Sequence, residues 1–212
     1  MRKEKKITKV IDRLKNRLSI IDARLRYNRI PFSLISNNCW GAEIYPILGM
    51  KYLTPFVGLY INAPCYIKLL KNFRVVIQEK LRFIEKSKYK NNKPKYPIAT
   101  IGGEIEIHFM HYKNNQEVQD KWSRRVSRIV TSDNRLFFKL DDAGMCTDEH
   151  IIEFHRLDYR NKFSFSKKCF SEFENNFKLS PKHIGMDGLD LFRVRNQYFD
   201  LIDYLNTCQF KK

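Results

Sequence analysis

This chain of 212 residues lacks paired cysteines. Its cysteines are odd in number, lie far apart and form no Cys-x-x-Cys pair: Cys39, Cys65, Cys146, Cys169 and Cys208. The pattern argues against a disulfide framework and against the ligand spacing of a structural zinc site. We therefore expect a protein of a reducing compartment.

Long apolar segments are also missing. The longest uncharged stretch, residues 52–67, is interrupted by Pro55, Gly58 and Pro64 and is too short to cross a bilayer. No apolar segment of the signal-peptide kind follows the basic start. The sequence therefore predicts a soluble cytoplasmic protein, and peripheral contact with the inner face of the membrane stays open.

No nucleotide- or nucleic-acid-binding signature is present. The sequence has no glycine-rich phosphate loop and no helix-turn-helix, RNA-binding or zinc-finger pattern. We expect no nucleic-acid partner, although a net charge of +17 attracts phosphate groups of other kinds. Much of that charge lies in residues 1–30, which hold eleven Lys and Arg residues against three acidic ones.

Residues 1–30 are predicted to form a basic amphipathic segment that precedes a single domain over 31–212. Apolar residues recur at helical spacing over 3–28, at Ile7, Val10, Ile11, Leu14, Leu18, Ile21 and Leu25. Such a helix either packs on the domain with its charges in water or lies on an anionic membrane. Both interpretations remain open from the sequence.

The whole chain has enough apolar residues for a core, since 43% of its 212 residues are hydrophobic and 14% are aromatic. Its patterns predict strands over 32–36, 56–61, 98–101, 104–110, 136–140 and 162–166. They predict helices over 42–48, 64–86, 115–130, 147–157 and 196–206. This alternation indicates a three-layer α/β fold, with a mostly parallel sheet, helices on both faces and one hairpin or antiparallel edge at Gly102-Gly103.

Polar residues follow the predicted strands, where the ligand crevice of an open α/β sheet lies. They are Asn37, Asn38 and Cys39, then Asn62, then His108 and His111, and then Asp141 and Asp142. The expected site therefore has Cys39, His108, His111 and Asp141 as catalytic candidates. Substrate-binding candidates are Asn37, Asn38, Asn62 and Asp142.

Cys39 stands between a strand and a helix whose N-terminus would lower the pKa of a thiol. It is a candidate nucleophile, with His108 or His111 as the base and Asp141 or Asp142 as the orienting acid. The alternative is an inert, buried thiol.

The histidines and aspartates also admit structural roles. A His-x-x-His pattern on a strand points the two rings to opposite faces, so we expect no metal site at His108 and His111. Asp141 and Asp142 suit a divalent cation that holds a nucleotide sugar, or equally a turn before Gly144.

One predicted helix carries a basic stripe of Lys121, Arg124, Arg125 and Arg128 opposite Trp122. Arg124 and Arg125 are candidates for gripping phosphates. A solvated face is the alternative.

Several ordered segments resemble a bacterial family without an agreed reaction. They are 35–41 (ISNNCWG), 54–61 (TPFVGLYI), 96–98 (YPI), 104–112 (EIEIHFMHY), 121–125, 137–142 (FFKLDD), 146–147 and 186–190 (MDGLD). The chain is similar, over about residues 32–206, to uncharacterised proteins labelled exopolysaccharide or capsular polysaccharide biosynthesis protein. That resemblance implies a three-layer α/β fold and a role in surface-polysaccharide assembly. The Asn38-Cys39 pair is also similar to the Asn-Cys of one group of capsule acetyltransferases.

The residues and the resemblance together suggest a transferase that acts on a sugar or polysaccharide precursor. Acyl transfer from a coenzyme A thioester is the leading hypothesis, with Asn37, Asn38 and Asn62 as donors to the developing oxyanion. The alternatives are a glycosyltransferase that uses a nucleotide sugar and a divalent metal, and a non-catalytic accessory protein of polysaccharide assembly.

Overall fold

A computed structural model gives the fold and describes Leu14, residues 17–89 and residues 94–209. The strands are β1 Ser33–Ser36, β2 Arg82–Ile84, β3 Ile98–Ile101, β4 Ile105–His108, β5 Leu136–Asp141, β6 Asn161–Ser166 and β7 Asn176–Lys178. The helices are α1 (17–26), α2 Ile44–Leu48, α3 Ala63–Lys71, α4 Phe73–Val76, α5 Asn115–Val126, α6 Asp148–Arg156, α7 Gly188–Arg193 and α8 Leu201–Thr207. Short 3₁₀ turns include Cys39–Ala42.

Four strands form a fully parallel sheet in the order β1-β5-β6-β7. Every residue of β1 and β5 is buried, as expected when a parallel sheet is covered on both faces. The predicted α/β class is therefore confirmed.

The other strands form a separate antiparallel sheet in the order β2-β3-β4. The predicted hairpin is confirmed, since β3 and β4 pair across Gly102 and Gly103. Because Ile101 pairs with Ile105, the connecting loop has three residues, Gly102, Gly103 and Glu104. The two glycines take left-handed φ angles of 58° and 82°, which suit a tight hairpin loop.

Two predicted elements were wrong. The helix predicted over 64–86 ends at Lys71 and resumes only for α4, because Asn72 leaves the helical region at φ −143° and ψ 47°. The chain then adds β2 to the edge of the antiparallel sheet. Sequence patterning could not reveal this, because the pairing of β2 with β3 is a long-range contact.

The strand predicted over 56–61 is an extended segment with a single bridge, between Tyr60 and His108. Gly58, at φ 67°, breaks the ladder. The Ile61 N–H donates to the Asn37 carbonyl at 2.8 Å, while the Tyr60 N–H donates to the His108 carbonyl at 2.8 Å. The segment therefore joins the end of β1 to β4 and connects the two sheets.

Side chains of β5 alternate between two apolar cores. Leu136, Phe138 and Leu140 face the core that also holds α3 and the antiparallel sheet. Phe137 faces the second core, with Trp40 and the C-terminal helices. Lys139 and Asp141 follow Phe137 at the two-residue period of a strand and share its face. A lysine and an aspartate are thereby placed inside the protein.

Helix α1 packs on the body through Ala23 and, just beyond its end, Tyr27. Arg24 Nε donates to the Ile47 carbonyl at 2.7 Å, and Arg26 pairs with Asp200. The rest of the helix predicted over 3–28 lies outside the described residues, apart from Leu14. Within the described part of the chain, no helix combines the length and apolar character that crossing a bilayer requires.

Candidate functional site

A cavity of about 450 Å³ lies past the carboxyl ends of β1 and β5. Its polar lining comes from four segments and comprises Asn38, Cys39, Tyr60, His111 and Asp187. Apolar side chains complete the wall: Leu59, Met110, Met186 and Leu189. This is the edge at which α/β sheets bind ligands, and the lining mixes apolar surface with a few polar groups as ligand sites do.

Asn38 sets the shape of the cavity floor. Its side-chain Oδ1 accepts a hydrogen bond from the Trp40 N–H at 3.1 Å and so caps the 3₁₀ turn that carries Cys39. Its Nδ2 donates to Asp141 Oδ2 at 2.5 Å. Gly188 must lack a side chain here, because a Cβ would lie 2.9 Å from the Asn38 amide.

Asp141 is the centre of a buried polar cluster beneath the cavity. It accepts hydrogen bonds from Asn37 Nδ2 at 2.9 Å, from Asn38 and from Lys139 Nζ. Lys139 has no exposed surface and its ammonium lies 5.6 Å from the centre of the Trp40 ring. The carboxylate thus has donors on both oxygens.

Charge pairing fixes the ionisation of this cluster. Burial alone would raise the pKa of Asp141, but Lys139 and the amides of Asn37 and Asn38 outweigh burial and hold this pKa below its usual value. Burial lowers the pKa of Lys139, against the opposing pull of Asp141. The sequence placed Asp141 at the end of a predicted strand, and in the structure its carboxylate is bound by internal donors beneath the cavity.

Cys39 lies in the cavity wall, half-buried, with Sγ 3.6 Å from the Leu59 carbonyl oxygen. Burial, reinforced by the carboxylates of Glu43 and Asp187, raises the pKa of its thiol. The expected lowering by a helix N-terminus is therefore wrong, because a turn of four residues has little dipole and the neighbouring charges are negative.

The two candidate histidines occupy different environments. His111 is exposed and lines the cavity that contains Cys39. His108 is 1% exposed, and its Nε2 lies 2.7 Å from Oε1 of Glu106. The ring of Tyr60, centred 6.3 Å from the His108 ring, also belongs to the cavity wall. His111 is therefore the histidine that the cavity presents to a ligand.

The remaining predicted residues divide between support and surface. Asn37 gives its amide to Asp141, and Asn62 Oδ1 accepts from the Tyr60 hydroxyl at 3.2 Å. Asp142 accepts from the Lys167 N–H at 2.6 Å, and burial raises its pKa.

The residues of the predicted basic stripe lie on α5 in different environments. Arg125 is buried, donates to the Tyr112 hydroxyl at 2.6 Å and lies 5.0 Å from the centre of the Tyr52 ring. Arg124 is exposed on the same helix. Arg125 therefore fixes α5 to the loop before α3 and is unavailable to grip a phosphate from solution.

Residues that sequence reasoning missed are Tyr60, Lys139, Gly144 and Asp187. A lone lysine within the apolar run of β5 was the available signal for Lys139. Gly144, at φ 52°, lies so close to Tyr60 that a Cβ there would fall 0.9 Å from the Tyr60 hydroxyl. Across the described residues, no three His, Cys, Asp or Glu side chains converge as a metal-ligand set.

Comparisons with known proteins relate the chain to a family that has no assigned function. A family model described as "Domain of unknown function (DUF1919)" matches residues 9–206. An "Uncharacterized protein" of Haemophilus influenzae (strain Rd) is 30% identical over 177 residues, which cover 82% of this chain and 82% of that protein.

Proposed function

Because the chain belongs to the DUF1919 family, its activity must be inferred from its own residues, and we propose that it transfers an acyl group to a hydroxyl of a sugar precursor. The observation that supports this proposal is the shared cavity of His111, Asn38 and Cys39 at the carboxyl edge of the parallel sheet. The precursor belongs to surface-polysaccharide assembly in this proposal, and only the resemblance of the sequence motifs supports that part.

His111 is the general base of the proposed reaction. A coenzyme A thioester supplies the acyl group, and the sugar hydroxyl attacks its carbonyl carbon. The hydroxyl proton passes to the His111 imidazole, the new C–O bond forms and the C–S bond breaks. The imidazolium then returns the proton to the departing thiolate, so that atoms and charges balance.

Asn38 is the proposed donor to the oxyanion. One N–H of its amide is committed to Asp141, and in this scheme the other donates to the oxyanion in the cavity that Asn38 lines. Asn37, by contrast, is tied to Asp141 through both its amide nitrogen and its amide oxygen. The Lys139–Asp141 pair acts in this scheme as a fixed support for Asn38, since the lysine is fully buried and the aspartate almost so.

In this proposal Cys39 is part of the cavity wall and is not the nucleophile. Its raised pKa leaves little thiolate near neutral pH, and thiolate is the reactive form. Direct transfer from thioester to sugar is therefore favoured over a covalent acyl-cysteine. Cys39 contributes a compact, weakly polar wall against which the acceptor lies.

The test measures acetyl transfer from acetyl-coenzyme A to a panel of nucleotide sugars, by release of free coenzyme A thiol. His111→Gln should reduce turnover at least about a hundred-fold, as loss of a general base does. Cys39→Ala should change it by less than about ten-fold, and Cys169→Ala, an exposed thiol elsewhere, is the matched control.

Thermal stabilisation identifies the ligand independently of turnover. Coenzyme A should raise the melting temperature, because a ligand that binds only the folded state stabilises it. Stabilisation only by a nucleotide sugar with Mn²⁺ would replace acyl transfer with glycosyl transfer. An absence of stabilisation by both ligand classes would favour the accessory-protein alternative.

A further inference from the structure

Helix α1 leaves an apolar stripe open to solvent. The exposed fractions in α1 are 66% for Leu18, 53% for Ile21 and 81% for Leu25, and Leu14, described ahead of the helix, is 53% exposed. Large aliphatic side chains this exposed are costly to leave in water, and a partner surface that covers them is favoured. The stripe therefore suits a partner surface.

The spacing of the stripe is that of a coiled coil. Leu14, Leu18, Ile21 and Leu25 are separated by four, three and four residues, which places Leu18 and Leu25 at heptad position a and Leu14 and Ile21 at position d. In the sequence, Ile7 and Ile11 precede Leu14 with the same alternation.

The body of the protein occupies the opposite face of α1. Ala23 stands at heptad position f and is buried, while Arg26 at position b pairs with Asp200. Arg24 reaches the carbonyls of Ile47 and Pro46. Docking thus fixes the helix with its a and d positions outward, and Arg24 and Arg26 are engaged with the body of the protein.

Charges beside the stripe complement those of an identical helix. Arg17 falls at position g and Asp22 at position e, five residues later. In a parallel pair of helices, g of one chain meets the following e of the other, so Arg17 and Asp22 would form two symmetric ion pairs. Asp22 already accepts from Arg26 at 3.3 Å, and a carboxylate has room for a second donor.

We propose that α1 binds α1 of a second copy as a parallel two-stranded coiled coil. The narrow two-in-seven stripe favours this occupant over a lipid surface, which a wider apolar face with interfacial aromatic residues would suit. Asp22 at the edge of the stripe also opposes an anionic membrane and matches Arg17 of another copy.

The experiment measures the mass of the full chain by light scattering and sedimentation at tens of micromolar. The expected mass is twice the chain mass of 25.5 kDa. Leu18→Glu with Leu25→Glu should give a monomer with an unchanged circular dichroism spectrum. Ser19→Glu, at exposed position b of the same helix, is the control and should leave the dimer intact.

Exchanging the charges of Arg17 and Asp22 tests the parallel alignment and leaves the apolar residues of the stripe unchanged. Arg17→Glu should raise the dimer dissociation constant about five-fold at low salt, and Arg17→Glu with Asp22→Lys should restore it. A monomeric parent chain would overturn the proposal. A dimer that survives Leu18→Glu with Leu25→Glu, or a monomer that binds anionic phosphatidylserine vesicles through these leucines, would overturn it as well.

Discussion

Lys139 and Asp141 form an ion pair on the inner face of β5, with the lysine fully buried and the aspartate almost so. The strand places them two residues apart on one face, and Asn37 and Asn38 close the cluster from the end of β1. A cluster of this kind holds Asn38 in place beneath the cavity. It also makes the fold sensitive to the loss of either charge.

Lys139→Met should destabilise the protein by about 3–5 kcal/mol, because it leaves the Asp141 carboxylate buried without its counter-charge. Lys139→Met combined with Asp141→Asn should recover part of that loss, since neither side chain then carries a charge. Urea unfolding at pH 7 measures the free energy of unfolding for each variant. Additive losses in the double variant would contradict the pairing.

Much of the parallel sheet could be predicted from apolar runs and turn residues. Ser33–Ser36, Leu136–Asp141 and Asn161–Ser166 were predicted within one residue at each end, the first two from short apolar runs and the third from its alternation of polar and aromatic residues. The hairpin at Gly102-Gly103 followed from turn chemistry alone.

The sequence could not reveal which distant segments of the chain pair with each other. Arg82–Ile84 becomes a strand only through its contact with β3, and the segment around Tyr60 is extended because two different strands bind it. In the same way, strand alternation put the rings of His108 and His111 on opposite faces, but it could not show that Glu106 and His108 are buried inside the protein.

Gly144→Ala should disturb the cavity by displacing Tyr60. The new Cβ would overlap the Tyr60 hydroxyl and would also occupy a left-handed backbone conformation. Backbone strain alone would lower the free energy of unfolding by about 1–3 kcal/mol. Because the clash with Tyr60 adds to that strain, we expect a loss of more than about 3 kcal/mol. Thermal and urea unfolding measure the loss.

Gly103→Ala is the matched control for Gly144→Ala. Its φ of 82° imposes similar strain, but no atom lies within 4 Å of the added Cβ. Tyr60→Ala should relieve part of the cost of Gly144→Ala, because it removes the obstructing ring. Equal losses at the two glycines would show that the clash with Tyr60 contributes nothing.

Cys39 should react slowly with iodoacetamide at neutral pH. Burial and nearby carboxylates raise the pKa of its thiol, so its thiolate fraction and alkylation rate should be low at neutral pH and should increase as the solution is made more alkaline. Cys146, whose pKa burial raises to about 12, should behave in the same way. The exposed Cys169 should be labelled at least about ten-fold faster at pH 7.

Peptide mass spectrometry after timed alkylation measures each cysteine separately. Cys169→Ala should leave the slow rates of Cys39 and Cys146 unchanged and serves as the control. Rapid, selective labelling of Cys39 at pH 7 would contradict this prediction and would restore the nucleophile hypothesis.

His155 should make the fold sensitive to acid. Its ring stacks on Phe173 with centroids 4.5 Å apart, and its Nε2 lies 2.7 Å from the Ser164 hydroxyl. Burial, with a smaller effect of Lys162, lowers the pKa of His155 to about 4, whereas the unfolded chain binds this proton near pH 6.5.

The sign of the acid effect follows from proton binding. Between pH 6.5 and about 4 the unfolded chain holds the proton and the folded chain does not, so the free energy of unfolding decreases as the pH falls through this window. His155→Phe keeps the aromatic stack and removes the titration. Its loss of stability from pH 7 to pH 5 should therefore be smaller than that of the parent chain by about 1 kcal/mol, allowing for the ring's partial exposure.

Ser164→Ala separates titration from hydrogen bonding. It removes the hydroxyl partner of His155 but leaves the ring buried against Phe173, so its pH dependence should stay close to that of the parent chain. Urea unfolding at pH 7, 6 and 5 compares the three proteins. Parallel curves for the parent chain and His155→Phe would mean that the buried ring does not titrate in this range. Acid sensitivity would then belong to the carboxylates, Asp141 among them. Because the pKa of Asp141 is lowered in the folded protein, its contribution to stability is lost only at still lower pH.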